Sequence, residues 1–285
     1  MTVNRRLEHQ CSSRLRRSAA IHVILAGVGG TGSRLLVGLK QLHFALRALG
    51  WAGLQVSVFD PDRVSPTNLA RQAFAPSDVG IGKATVLVHR LNLAYGLSWS
   101  ALELPLNEAT ISRAGFGYEG LGLIVSAVDT RNARAEIAQA AAQTRAAYWL
   151  DTGVEGVIGQ FVLGEPLPHR TPTRRQRLPT AAELFPALAD TSIPETDTPS
   201  CSAQEALEHQ DLFVNEAIAV GAQNLLWRLL HFGRIGFHGG FVNCETGVTR
   251  PLEVNPKIWA RLRKVGEART ITVKTGGNHD RHNHQ

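Results

Sequence analysis

Cysteine is scarce in this chain: Cys11, Cys201 and Cys244 are the only three in 285 residues, and none forms a C-x-x-C pair. That scarcity excludes a disulfide framework and favours a reducing compartment, the cytoplasm. Aromatic residues make up only 6%, and they do not interleave with the basic residues, so no nucleic-acid recognition element is visible. No apolar run approaches the ~20 residues that a membrane-spanning helix needs. The N-terminal stretch holds Arg5, Arg6, Arg14, Arg16 and Arg17 but no apolar segment ahead of a cleavage site. It reads as a flexible basic arm rather than a secretory signal. There is no internal repeat.

What is present is the composition of a soluble globular protein, with 44% hydrophobic and 19% charged residues. The apolar run Ile21–Ala26 is a short buried strand, followed by Gly27-Val28-Gly29-Gly30-Thr31-Gly32-Ser33 and a helix from Ser33 to Leu49. A second strand, Leu54–Phe59, ends at Asp60. After a polar loop come a helix over Lys83–Leu93 and a strand over Ser98–Leu104. The apolar run Leu121–Ala127 leads to Asp129, helix Arg131–Arg145 follows, and strand Ala147–Leu150 delivers Asp151. Near-continuous apolar strands alternating with helices predict an α/β, Rossmann-like, doubly wound and mainly parallel sheet. A strand at Gly156–Gly164, a helix over Leu212–His231 capped by Asp211, and a hairpin of Gly236–Asn243 with Val248–Val254 predict an antiparallel C-terminal extension.

The organisation follows: a basic arm over 1–20, a main domain over 21–255, and a C-terminal segment over 256–285 with a disordered tail from about 276. Within the main domain, residues 165–202 form a proline-rich crossover loop carrying Cys201, with one short helix around Ala181–Leu188. A loop of that length is uncommon unless it is functional or disordered.

Four features fall where a parallel sheet presents its ligand, at the carboxyl ends of the strands. The glycine turn lets the backbone approach phosphates, and a helix N-terminus offers free N–H groups and the positive end of a dipole. Asp60 can accept hydrogen bonds from ribose hydroxyls. Between them and the next strand, Asn68, Arg71, Gln72 and Lys83 supply amides, a guanidinium and an ammonium suited to a triphosphate with a departing pyrophosphate. Asp129 can hold Mg²⁺ against the phosphates. The net charge of +6 suits a protein that handles anionic nucleotide and acidic partners.

Taken together, Gly27–Ser33, Asp60-x-Asp62-x-Val64, Asn68-Leu69-x-Arg71-Gln72, Lys83, and Asp129 with Arg134 resemble the ThiF/MoeB/ubiquitin-activating adenylation family. The likeness covers Ile21 to Asp151 and continues to about Val254, and it extends to the ThiF family of the bacterial PRTRC system. It implies ATP-dependent activation of the C-terminal carboxylate of a small ubiquitin-like or sulfur-carrier (β-grasp) protein in the bacterial cytoplasm. By the same likeness Gly27, Gly29, Gly30, Gly32 and Ser33 form the phosphate cradle, Asp60 holds the ribose and Asp62 joins the nucleotide set. Asn68, Arg71, Gln72 and Lys83 position the triphosphate, Asp129 binds Mg²⁺, and Arg71, Lys83 and Asp129 carry the chemistry. A homodimer and a conjugating-enzyme-like partner are further implications.

Pro199-Ser200-Cys201-Ser202 adds a nucleophile, because a thiol ahead of a helical stretch from about Ala203 has its pKa lowered by the helix dipole. The resemblance implies that Cys201 takes the activated acyl group as a thioester. Cys11 and Cys244 read as structural or incidental. Many relatives carry paired C-x-x-C motifs for structural zinc; this chain has none, so no zinc is expected. The family's Arg-Tyr-x-Arg-Gln start is missing, leaving Arg5, Arg6 or Arg16 as stand-ins, and Thr130 replaces an asparagine after the Mg²⁺ aspartate. The rival readings are a sulfur-carrier adenylyltransferase using Cys201 for sulfur transfer, an NAD(P)-dependent oxidoreductase, and an inactive scaffold.

Overall fold

A computed structural model describes residues 7–12, 15, 20–69, 72–116, 122–144, 146–167, 177–195 and 210–264. In chain order its first elements are β1 (His9–Gln10), β2 (Ile21–Ala26), α1 (Gly30–Ala48), β3 (Leu54–Phe59), α2 (Lys83–Tyr95) and β4 (Ser100–Leu102). Then come β5 (Leu123–Ser126), α3 (Arg131–Thr144), β6 (Tyr148–Glu155), β7 (Ile158–Gly164) and α4 (Ala181–Leu184). The described residues end with α5 (Val214–Phe232), β8 (Arg234–Ile235), β9 (Phe237–Asn243), β10 (Val248–Glu253) and a helix over 256–264.

Eight strands form one sheet in the order β10-β9-β7-β6-β5-β2-β3-β4. From β6 to β4 neighbours run parallel, whereas β7, β9 and β10 join antiparallel. Both faces are covered, as a parallel sheet requires. Along β2 the side chains alternate: Val23 and Leu25 enter the core beneath α1, α2 and α5, while Ile24 and Ala26 enter the core beneath α3. β5 and β6 repeat the pattern, with Val125 and Leu150 on the first side and Ile124 and Trp149 on the second. The order around β2 reverses between β3 and β5, so the crevice for a ligand opens at the ends of β2 and β5. Among the described residues no helix is long and apolar enough to cross a membrane.

Several local expectations are corrected. Helix α1 begins at Gly30 rather than Ser33, with Gly29 as N-cap and no side chain capping it. Strand β6 runs on to Glu155, so Asp151 lies within the strand, opposite Val162, instead of at its end. Asp211 does not cap α5: its Oδ1 accepts from Phe213 N at 3.0 Å, and Phe213 is the N-cap. The N-terminal segment is not all flexible arm, because His9–Gln10 pairs with β8 and Leu15 is buried. In the proline-rich loop, by contrast, the short helix expected around Ala181–Leu188 is present, as α4 and a 3₁₀ turn over Pro186–Ala189. Thr180 and Glu183 form a capping box for α4 that seats Leu178, Ala181 and Leu184 in the core.

Candidate functional site

A cavity of about 950 Å³ opens at the carboxyl ends of the parallel strands, at the upper end of the range for small-molecule sites. Its floor is the glycine turn. Gly27 has φ +81°, and a Cβ there would stand 2.6 Å from the Ala127 carbonyl oxygen. A Cβ on Gly32 would stand 1.9 Å from the Gly27 oxygen, so the turn closes this tightly only with glycine at both places. Gly27, Gly29 and Gly30 line the cavity. Gly32 and Ser33 lie behind it; Ser33 is buried and its hydroxyl donates to Gly30 O at 3.1 Å.

Asp60 follows β3 and is buried at the cavity wall. Its Oδ2 accepts from Val28 N at 2.7 Å and its Oδ1 from Asp62 N at 2.9 Å, which fixes the carboxylate against the glycine turn. Burial pushes its pKa above the ordinary value, against the pull of those N–H groups and of Lys83. Lys83 opens α2 and is buried along its stem. Its Nζ reaches Asp62 Oδ2 at 2.8 Å, the Asp62 side chain being 64% exposed. Gln72 lines the same wall, beside Gly29, and its Oε1 is buried without a hydrogen-bond partner.

Asp129 is exposed at the mouth, three residues beyond β5. Behind it lies a buried strut. Arg134 Nε donates to both oxygens of Asp151 at 3.1 Å, and Ser126 Oγ donates to Asp151 Oδ1 at 2.7 Å. The other guanidinium nitrogens donate to Val128 O at 3.0 Å and Leu188 O at 3.2 Å. Arg134 thus ties the turn bearing Asp129 to β6 and to the proline-rich segment. Burial pushes the Asp151 carboxyl upward, opposed by Arg134 and Ser126.

The structure therefore gathers Gly27, Gly29, Gly30, Asp60, Asp62, Gln72, Lys83 and Asp129 around one cavity. Asn68 does not line it; its Oδ1 accepts from Ser65 N at 2.9 Å, capping a local turn. Arg71 and Cys201 lie outside the described residues. Among the described residues no three His, Cys, Asp or Glu side chains gather as a metal cage.

Two further cavity residues, Glu195 and Asn215, were not singled out from the sequence. Glu195 accepts from Arg131 N at 2.6 Å at the start of α3, and its Oε2 pairs with Arg131 at 3.0 Å. Asn215, buried in the first turn of α5, accepts from the Thr31 hydroxyl at 2.8 Å. A polar residue beside Val214 on the buried side of an apolar helix was the one available hint.

Solved structures that share this fold include three that illustrate it. E. coli MccB with MccA-N7isoASN aligns at TM-score 0.55 and 18% identity, covering 85% of this chain and 66% of that one. E. coli MccB with ATP aligns at TM-score 0.52 and 16% identity, covering 85% and 65%. PaaA aligns at TM-score 0.54 and 12% identity, covering 85% and 65%. This chain thus spans a little under two thirds of the length of each. No curated protein matches the sequence. The ThiF family model matches residues 4–255, nearly the whole described fold, and the chain belongs to the ThiF family.

Proposed function

We propose that this protein uses ATP to adenylate the C-terminal carboxylate of a small protein partner of the ubiquitin-like or sulfur-carrier kind. The observation that carries this reading is the convergence of the glycine turn, Asp60, Gln72, Lys83 and Asp129 on one cavity at the sheet's switch point. Family membership supports it, as do the neighbouring MccB structures with ATP and with MccA.

On this reading the first turn of α1, which no side chain caps, receives phosphate oxygens on its N–H groups. Asp60, held by Val28 and Asp62, accepts from the ribose hydroxyls. Lys83, with Arg71, neutralises the charge that builds on the departing pyrophosphate. A substrate carboxylate oxygen attacks the α-phosphorus; the new P–O bond forms as the bond to pyrophosphate breaks, leaving an acyl-adenylate. The protein contributes alignment and charge stabilisation. An exposed carboxylate at the cavity mouth suits Mg²⁺, which keeps most of its water and takes one or two protein carboxylates; Asp129 would hold it, and it would offset phosphate charge. Cys201 then takes the acyl group as a thioester, with AMP leaving.

ATP–pyrophosphate exchange with candidate small-protein partners tests the reading, with Asp129→Ala as control. Exchange that depends on the partner and is lost in Asp129→Ala is the expected result; exchange unchanged in that variant would overturn the site. Mass measurement of the adduct on Cys201 separates a thioester from an acyl-persulfide.

A further inference from the structure

The first turn of α5 supplies a wall of the cavity that the glycine motif does not encode. Asn215 is buried there, and its Oδ1 accepts the Thr31 hydroxyl proton at 2.8 Å. Its Nδ2 donates to Gln210 Oε1 at 3.3 Å. The amide also lies flat against the cradle, since a Cβ on Gly30 would meet Cγ, Nδ2 and Oδ1 of Asn215 at 2.8 Å each. Gly30, Thr31, Gln210 and Asn215 all line the cavity.

Neighbouring contacts hold α5 in place against α1. Arg34 and Glu216 pair at 2.6 Å, and Gln223 Nε2 donates to Arg34 O at 2.9 Å. The Asn215 amide is therefore presented by a helix–helix junction at the cradle's own backbone.

We propose that Asn215 is a positioning residue for the phosphate end of the site, holding Thr31 and Gly30 as a neutral anchor. The proposal rests on the adenylation reading, in which that end of the cavity takes a triphosphate. Two physical consequences follow. Thr31 spends its one hydroxyl proton on Asn215, so it turns lone pairs, not a donor, toward the cavity. The phosphates must then be gripped by backbone N–H groups and cations, and any negative charge on the anchor would act on them at short range and in a partly dry site.

Binding of ATP and of adenosine to the full-length protein, measured by calorimetry, tests this. Asn215→Asp keeps the acceptor for Thr31 but places a charge beside the cradle. It is expected to weaken ATP about tenfold or more while changing adenosine less than about twofold. Thr31→Val is expected to weaken ATP, and Thr31→Ser, which restores the hydroxyl, to recover it. Equal losses for ATP and adenosine in Asn215→Asp, or unchanged ATP affinity, would overturn the proposal. Should Asn215→Asp not fold, the Thr31 pair decides: ATP affinity unchanged in Thr31→Val, or not recovered in Thr31→Ser, overturns it as well. Wild-type protein that binds no ATP would instead sink the adenylation reading beneath it.

Discussion

Arg134 and Asp151 form a buried ion pair at the back of the cavity, with Nε at 3.1 Å from both carboxylate oxygens and side-chain exposures of 6% and 1%. Its partners make it an architectural joint: the same guanidinium holds Val128 O, next to Asp129, and Leu188 O in the proline-rich segment. Removing one member leaves the other charged and unpaired in a dry site. Arg134→Ala and Asp151→Asn are each expected to cost about 3–5 kcal/mol of stability in urea unfolding. The double variant Arg134→Met/Asp151→Leu is expected to be less damaging than either single change. A double variant as damaging as the sum of the singles would show that the two residues act independently, through their bonds to Val128, Leu188 and Ser126, and not through the pairing of their charges.

His238 gives stability a pH dependence of known sign. It is fully buried, its ring meets Trp259 edge-on at 5.2 Å, and Nδ1 lies 2.7 Å from Leu163 O. Its Nε2 has no partner, and burial holds its pKa at about 4, with His9 nearby pulling the same way. The unfolded histidine takes a proton near pH 6.5, so the unfolded state binds the proton first as pH falls. The contribution is therefore complete above about pH 6.5, is lost progressively toward pH 4, and amounts to about 3 kcal/mol. His238→Phe is expected to flatten that part of the profile. A variant whose urea midpoint still drops as steeply as wild type between pH 7 and 5 would place the dependence elsewhere.

The cradle glycines separate activity from folding. A methyl at Gly32 would collide with the Gly27 oxygen at 1.9 Å and force the turn open. A shift of about 1 Å in a positioning element costs on the order of 100-fold. Gly32→Ala is expected to slow ATP–pyrophosphate exchange by at least about that factor. Gly50→Ala, at φ +85° with nothing within 4 Å of its Cβ, puts backbone strain without a collision far from the cavity and serves as the control for a loss of stability alone. It should lower the melting temperature and leave exchange unchanged.

Much of this was legible in the sequence, for a physical reason. A parallel sheet writes its buried strands as unbroken apolar runs, and a chain reversal at φ +81° writes itself as Gly27. Asp60, Lys83 and Asp129 stand at strand or helix ends, where turn chemistry is local. What escaped depends on tertiary partners. Asp151-Thr152-Gly153 reads as a strand end, yet β6 continues through it because Ser126 and Arg134 satisfy Asp151 and the Thr152 hydroxyl donates to Ser126 O at 2.8 Å. Asn215 faces Thr31 across 184 positions, and no local pattern records such a contact.

The Lys83–Asp62 pair makes the last and sharpest prediction, because the sign of one effect decides a role. Lys83 Nζ sits 2.8 Å from Asp62 Oδ2, the lysine largely buried and the aspartate 64% exposed. An ion pair open to solvent on one side stabilises by about 1 kcal/mol at most. ATP can therefore take the ammonium from Asp62 at little cost, and Asp62 then adds one more negative charge beside a polyanion. Asp62→Asn is expected to tighten ATP binding by roughly two- to fivefold at low salt, with the gain shrinking as salt rises. Lys83→Met should weaken it by about tenfold or more, since a charge-assisted contact to phosphate is lost. Weaker ATP binding in Asp62→Asn would mean that the carboxylate holds the ligand or its metal directly, and would move Asp62 from restraint to binding group.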